Sequence, residues 1–411
     1  MRSFRSQDRS NQPQAITVTN QSGRVVELES IPSEDLIGPE IWRFSRDTVF
    51  ADGRASISLH VTGGATSIGG GAFGAQTIQS LPISTSFQDF LIQSIQRLDA
   101  IVDADFLIST DSTRGEINFY LDEEINLDSS EGTVLGIALS NYDHIQGGWW
   151  ETILNAPGFQ GNTAYMQYAS LHELGHTFGL EHPFEASDGD VYRSTDPHNS
   201  AYPEQTVMAY RSPLSGAWPT WYSDSDLEAL ITNLGAETQF LTATDDYIIG
   251  ENYTEKIHGR SGNDTILGGW GNDEIRGGSG DDLINGNQGS DLVIGGEGND
   301  KLYGGLGPDL IYGNRGNDVI YGGNGHDTIN GGEGDDILTG NKGIDLFILS
   351  SGFDIVTDFN LSLDQIGLNK NLDYSVDHLN HSTLINSEIG TLSLENILLN
   401  EAQVSSLIRY V

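Results

Sequence analysis

The chain has no cysteine among its 411 residues. That excludes a disulfide framework, a thiolate zinc site and a cysteine nucleophile, and no cysteine from an N-terminal segment can block a metal. Basic residues are scarce. Nineteen Lys and Arg stand against 59 Asp and Glu, for a formal charge of −40. Such a charge opposes contact with nucleic acid or an anionic membrane surface, so neither is expected as a partner. Apolar residues make up only 37% of the chain, and no apolar run is long enough to cross a bilayer, so membrane insertion is not expected. The opening segment MRSFRSQDRSNQPQ has basic residues but no apolar stretch, so a secretory signal peptide is not expected there. The acidity is not concentrated anywhere. Residues 259–348 carry 15 acids and 5 bases, and the remaining 321 residues carry a charge of −30 at nearly the same density. Any case for cation binding therefore has to come from local spacing.

Glycine is what the chain has in excess, with 51 residues. A nine-residue ruler explains most of them. Units begin at Gly259, Gly268, Gly277, Gly286, Gly295, Gly304, Gly313, Gly322, Gly331 and Gly340, ten in phase without an insertion. Positions 1 and 4 are always Gly, position 6 is always Asp, and position 8 is always apolar, from Ile266 to Phe347. Position 2 is Gly, or Asn at 287, 314 and 341, or Arg260 in the first unit. Asn is the residue after Gly that best tolerates a left-handed backbone. The pattern predicts a six-residue turn followed by a three-residue strand, with one apolar side chain per unit feeding a narrow core that only stacking can close. Asp264, Asp273, Asp282, Asp291, Asp300, Asp309, Asp318, Asp327, Asp336 and Asp345 then project into turns where carbonyls converge, which is the ligand chemistry of Ca²⁺. A calcium shared between unit n and unit n+2 gives eight full sites. The segment 350–411 returns to ordinary apolar alternation and is expected to cap the stack.

Upstream, the patterns are those of an α+β domain. Residues 1–40 are polar and weakly patterned, and read as an arm or a propeptide. Strands are expected over 55–61, 114–121 and 132–140, and a glycine-rich loop over 62–74. Phe87, Phe90, Leu91, Ile95, Leu98 and Val102 recur at helical spacing, and further helices are expected over about 165–178 and 223–235.

The first of those later helices ends in HELGHTFGLEH, His172 to His182. On a helix, His172 and His176 leave the same face. Gly179 lets the chain turn back and bring His182 in as a third nitrogen ligand, leaving a fourth Zn²⁺ position for water. Glu173 points to a different angle, missing the metal yet within reach of that water. Glu181 reads as a solvated surface charge without a role. The remaining histidines (His60, His144, His198, His258, His326, His378, His381) read as surface or satisfied packing.

The stretch resembles the H-E-x-x-H-x-x-G-x-x-H zinc signature of the metzincin metallopeptidases. TVMAY, Thr206–Tyr210, is similar to the Met-turn of that family. The resemblance implies that Met208 packs under the three histidines and that Tyr210 is an additional, switchable zinc ligand. It also implies that Tyr210 hydrogen-bonds the oxyanion, for about 2–4 kcal/mol. Among metzincins the serralysins combine this site, and a Pro after its third histidine (here Pro183), with C-terminal RTX repeats of the form seen here. The resemblance implies a metzincin domain over 41–240, a calcium-binding parallel β-roll over 250–349 and a β cap with an export signal over 350–411. It further implies a secreted, extracellular, monomeric zinc endopeptidase that passes through a type I secretion apparatus. The expected reaction is hydrolysis of protein or peptide substrates by a zinc-activated water, with Glu173 as general base. An extended substrate is expected against an edge strand, with Gly136–Ser140 as the candidate. Two alternatives stand beside this: a calcium-dependent structural or adhesion protein with an inactive metzincin domain, and a metzincin dedicated to one protein. Retention of Glu173 speaks against the first, since a silent site has no use for the base.

Overall fold

The computed structural model describes residues 16–19, 21, 24–28, 31, 36–37, 43–46, 50, 54–69, 75–110, 115–123, 135–143, 147–182, 201–209, 212–370 and 372–411. These fall into two compact units that divide between Glu237 and Thr238.

In the first unit, β1 (Ile16–Thr19) and β2 (Val25–Leu28) pair antiparallel, so the stretch expected to be an arm contains a hairpin. A mixed sheet forms the body of the unit. Its centre is parallel: β3 (Arg54–Leu59) lies between β6 (Asp105–Ser109) and β7 (Ile117–Asp122), and β7 pairs in turn with β9 (Gly147–Asn155). β8 (Gly136–Asp143) runs antiparallel to β9, and among the described residues it has no second strand partner. It is an edge. β4 (Gly64–Gly69) and β5 (Ala75–Leu81) form a further antiparallel pair, which places strand where a glycine-rich loop was expected. Cross-strand pairing of Thr66 with Ile78, and burial of Ile68, outweigh the low strand propensity of the glycines around them.

Three α-helices of more than two turns lie among the described residues of the unit. α1 (Thr85–Asp99) is capped by Ser84 and buries Phe87, Leu91, Ile95 and Leu98, the stripe legible in the sequence. α2 (Thr163–Thr177) is capped by Asn162 and packs against β8 and β9. Phe178 ends it, and Gly179 follows with φ of 100°, a conformation that costs a side-chain-bearing residue about 1–2 kcal/mol. α3 (Asp224–Leu234) begins in a reciprocal cap between Ser223 and Asp226.

The second unit is a β-solenoid of about 7 turns over residues 238–367. Strands pair in parallel with a register of 18 residues, as in Ile275 with Val293 and Val293 with Ile311, so alternate units build two opposed sheets. Strands run to six residues, for example Glu274–Ser279, rather than the expected three. They continue through positions 1 to 3, because the glycines there still lie in the ladder. The position-8 side chains form a single buried column, and Ile266 through Phe347 are 0% exposed. Asn287, Asn314 and Asn341 have φ of 71°, 76° and 65°, the left-handed turn expected of them. Arg260 takes it too, at 75°.

The stack extends beyond the ten units. Thr238–Phe240 and Tyr247–Ile249 pair with later strands, and Ile257 joins the core column, so two degenerate units beginning at 241 and 250 precede Gly259. They escape a glycine count because only Gly250 remains of their position-1 and position-4 glycines. At the other end, strands through Leu394 and α4 (Glu401–Leu407) cover the column with Val356, Ile366, Leu392 and Val404.

Candidate metal centres

α2 carries His172 and His176 one turn apart. The chain then reverses at Gly179, with Leu180 N–H donating to Gly175 O at 3.0 Å, and His182 returns to the same point. Its Nε2 lies 3.1 Å from that of His172 and 3.2 Å from that of His176. The outer nitrogens are anchored on carbonyls: His172 Nδ1 is 2.7 Å from Val207 O, and His176 Nδ1 is 2.9 Å from Leu180 O. Protons held there leave Nε2 as the lone-pair atom of a neutral ring. Burial, reinforced by His176 and His182, keeps His172 well below its ordinary pKa, hence neutral. At most one of the two contacts to His182 can hold a proton, so lone pairs face one another at close range. A cation resolves that repulsion. Zn–N bonds of about 2.0–2.1 Å at tetrahedral angles separate nitrogens by about 3.3 Å, so the three residues fit zinc.

Glu173, on the adjacent helical position, is buried and accepts a hydrogen bond from the Ala138 backbone on β8. Burial raises its pKa from 4.5 to about 8. A cation on the histidines would draw the value back down. Gly136 makes the room for this carboxyl, since a Cβ there would lie 2.6 Å from Glu173 Oε1. Glu181 is 2% exposed, contrary to the solvated role expected of it. Its N–H donates to Leu36 O at 2.9 Å, and Ile37 bridges Leu180, so an N-terminal segment covers this loop. The sequence gives no sign of that pairing across some 140 residues.

Met208 is fully buried against α2. A Cβ on Gly175 would meet its sulfur at 3.1 Å, so the methionine packs closely on the helix between the two histidines. Tyr210, Pro183, His144 and His198 lie outside the described residues. Among the other histidines, His60 stacks on Tyr120 at 4.2 Å, His378 contacts Leu399 O at 3.0 Å, and His326 Nδ1 accepts the Ile344 N–H. Sequence reasoning missed the supporting groups: Gly136 and the carbonyls of Leu180 and Val207. Carbonyls leave no residue signature.

In the solenoid, the backbone N–H of each repeat Asp from Asp264 to Asp336 donates to Oδ1 of the Asp 18 residues on, as from Asp264 to Asp282 at 2.8 Å and from Asp327 to Asp345 at 3.0 Å, and Asp345 donates to Asp364, 19 residues on. The second oxygen behaves differently. Oδ2 of Asp264, Asp282, Asp291, Asp300, Asp309, Asp318, Asp327 and Asp336 is buried with no hydrogen-bond donor. A Cβ on Gly259 would meet Asp264 Oδ2 at 2.5 Å and Gly277 O at 2.2 Å, so carboxylate and carbonyl converge on one cradle. Burial pushes the carboxyls of Asp282, Asp291, Asp300 and Asp327 up to about 7 and that of Asp309 to about 8. Buried oxygens of this kind demand a proton or a cation, and hard oxygen ligands fit calcium.

The ladder ends on protein donors. Asp246 accepts from Thr242 N and Oγ1, Glu255 from Glu251 N, Asp354 from Ser350 Oγ and Asp364 from Asn360 N. Each donor residue stands four positions before its carboxylate. Asp354 and Asp364 also supply the Oδ1 acceptors for Asp336 and Asp345. The count of eight full sites considered the ten units alone, and the rungs in fact continue at both ends.

A family profile described as the RTX calcium-binding nonapeptide repeat (4 copies) matches residues 249–284, 276–311 and 312–347. These are RTX calcium-binding repeats. Over 173 residues the chain is 29% identical to a serralysin of Photorhabdus sp. (strain Az29), covering 39% of this chain and 34% of that protein. The match thus spans about a third of the relative's length. The crystal structure of the extracellular lipase LipA from Serratia marcescens is 18% identical, with a TM-score of 0.22, over 42% of this chain and 40% of that one. The solution structure of the AlgE6R3 subunit of the Azotobacter vinelandii mannuronan C5-epimerase is 20% identical, with a TM-score of 0.15, over 40% of this chain and 78% of that one. The RTX repeats, the serralysin relative and the β-solenoid fit a serralysin-like protein with RTX repeats. The repeats support calcium binding, and with the relative they suggest a secreted protein.

Proposed function

We propose that this RTX protein is a secreted zinc endopeptidase whose fold is completed by calcium. The observation that supports this reading best is the convergence of three imidazole Nε2 atoms, with contacts of 3.1 and 3.2 Å, beside a buried glutamate and a strand, β8, that has no second strand partner among the described residues. His172 and His176 would hold zinc through Nε2, each steadied by a carbonyl behind it, and His182 would close the set. Zinc, when bound, would polarise the scissile carbonyl and acidify an attacking water. Glu173 takes the proton of that water and passes it to the leaving amine, work worth typically 10²–10⁴-fold. β8 adds the substrate as a further strand, which orients an extended protein or peptide backbone along the carboxyl of Glu173. Tyr210 is assigned the oxyanion hydrogen bond on the metzincin resemblance. A monomer exported through a type I apparatus belongs to the same reading, with the calcium-free repeats crossing unfolded and folding on extracellular calcium.

Casein hydrolysis with and without a zinc chelator, paired with metal analysis of the purified chain, tests the reading. Glu173→Gln should retain zinc and lose at least 10²-fold in activity. Full activity in that variant, or a purified chain active without zinc, would refute it.

A further inference from the structure

The two histidines of α2 are oriented by different means. His176 leans on Leu180 O, inside its own loop, whereas His172 leans on Val207 O, 35 residues away. What holds Val207 in place is therefore part of the site. We propose that Asp226 is a positioning residue for His172, acting through the Val207 carbonyl; this rests on the zinc reading above.

Asp226 is fully buried at the third residue of α3. Its carboxylate takes four hydrogen bonds. Ser223 supplies two, from N at 2.9 Å and Oγ at 2.8 Å, which closes the helix cap. The other two come from the turn under the site: Thr206 Oγ1 donates to Oδ1 at 2.5 Å, and Val207 N–H donates to Oδ2 at 3.0 Å. With its proton committed to Asp226, the Thr206 hydroxyl presents its lone pairs to Met208 N–H, 3.0 Å away. One carboxylate thus fixes three consecutive residues, 206 to 208, all fully buried. Beyond them, Tyr168 Oη donates to Ala209 O at 2.7 Å and holds the far side of the turn. The Val207 carbonyl shares a peptide plane with the Met208 N–H, so holding that N–H on Thr206 Oγ1, and the Val207 N–H on Asp226, aims the carbonyl at His172 Nδ1; that contact sets both the tautomer and the direction of Nε2. Helix capping alone requires only the Ser223 pair, so the two bonds to the turn are an additional function.

The test uses the full chain. Zinc affinity is measured by competition with a chelator of known affinity, with far-UV circular dichroism to establish the folded fraction. Asp226→Ala should weaken zinc about 10- to 100-fold, the usual cost of losing a ligand's orienting partner. Asp226→Asn should lose less, because its carbonyl oxygen still accepts while its amide faces donors. Thr206→Val removes one of the four bonds together with the acceptor of the Met208 N–H but leaves the Ser223 cap intact; it should also weaken zinc, by less than Asp226→Ala, and keeps the test open if Asp226→Ala does not fold. Leu230→Ala is the structural control: it empties a fully buried position on the same helix and removes no hydrogen bond to the turn. It should lower thermal stability and leave the zinc affinity of the folded protein unchanged. With Co²⁺ in place of zinc, the visible spectrum should change in Asp226→Asn and not in Leu230→Ala. Wild-type zinc affinity in Asp226→Asn and Thr206→Val would overturn the inference, as would an equal loss in Leu230→Ala at matched stability. A wild-type chain that binds no zinc would overturn the metal reading, and this inference with it.

Discussion

Gly136→Ala is the sharpest test of how the first unit holds the carboxyl of Glu173, the base of the proposed reaction. Gly136 lies outside the histidine motif, on the strand that flanks α2. Its missing side chain is the space occupied by the carboxyl of Glu173: an added Cβ would lie 2.6 Å from Oε1, 2.9 Å from Cγ and 2.9 Å from Leu154 Cδ2. Ordinary contact begins near 3.4 Å. The carboxyl must therefore retreat by about 0.8 Å or swing off the Ala138 N–H. A misplacement of about 1 Å at a reacting group can cost 10²-fold. The expectation is a 30- to 100-fold fall in kcat/KM, or about 2–3 kcal/mol of transition-state stabilisation. Overpacking against Leu154 should add about 1–3 kcal/mol of lost stability. Zinc content should stay at the wild-type level, because the atoms nearest the added Cβ belong to Glu173 and Leu154 and not to a histidine. The measurements are peptide hydrolysis, metal analysis and thermal unfolding on the same preparation. A Gly136→Ala protein with full zinc and wild-type kcat/KM would show that Glu173 is not held as described. Loss of zinc in parallel with activity would equally defeat the reasoning.

Further outcomes concern the repeats. Ile311→Ala opens a cavity in a core only one side chain wide, and should destabilise the calcium-loaded roll by about 2–5 kcal/mol in denaturant unfolding. Asp300→Asn should reduce the number of calcium ions bound per chain in equilibrium dialysis, since Asp300 supplies a buried oxygen with no protein donor; unchanged stoichiometry would count against the cradle. In calcium-free buffer the folded roll should be more stable at pH 5 than at pH 8. The repeat carboxyls are raised to about 7 when folded, against about 3.9 unfolded, so the folded state binds more protons between those values and stability falls as pH rises through that window. Calcium, by favouring the ionised form, should abolish or reverse that trend, which circular dichroism in a chelator against millimolar calcium will read.

The amino-acid order alone determined the elements whose cause is local. Ten in-phase units specify the narrow core from Ile266 to Phe347, because each nonapeptide repeats the same turn and exposes the same apolar side chain. His172 and His176 share a face because a helix has 3.6 residues per turn. Gly179 was legible as the reversal because a left-handed residue favours glycine. Tertiary structure decided what depends on partners distant in the chain. The glycine-rich segment from Gly64 became strand because β5 was there to pair with it. Glu181 became buried because Leu36 and Ile37 lie across its loop. The roll acquired two early units and closing rungs at Asp354 and Asp364 because hydrogen-bond register, rather than glycine content, defines a rung. Asp226 reached beneath His172 because folding brings the start of one helix against the turn that supports another. Periodicity is written in neighbouring residues; a hydrogen bond across 35 positions exists only once the chain has closed on itself.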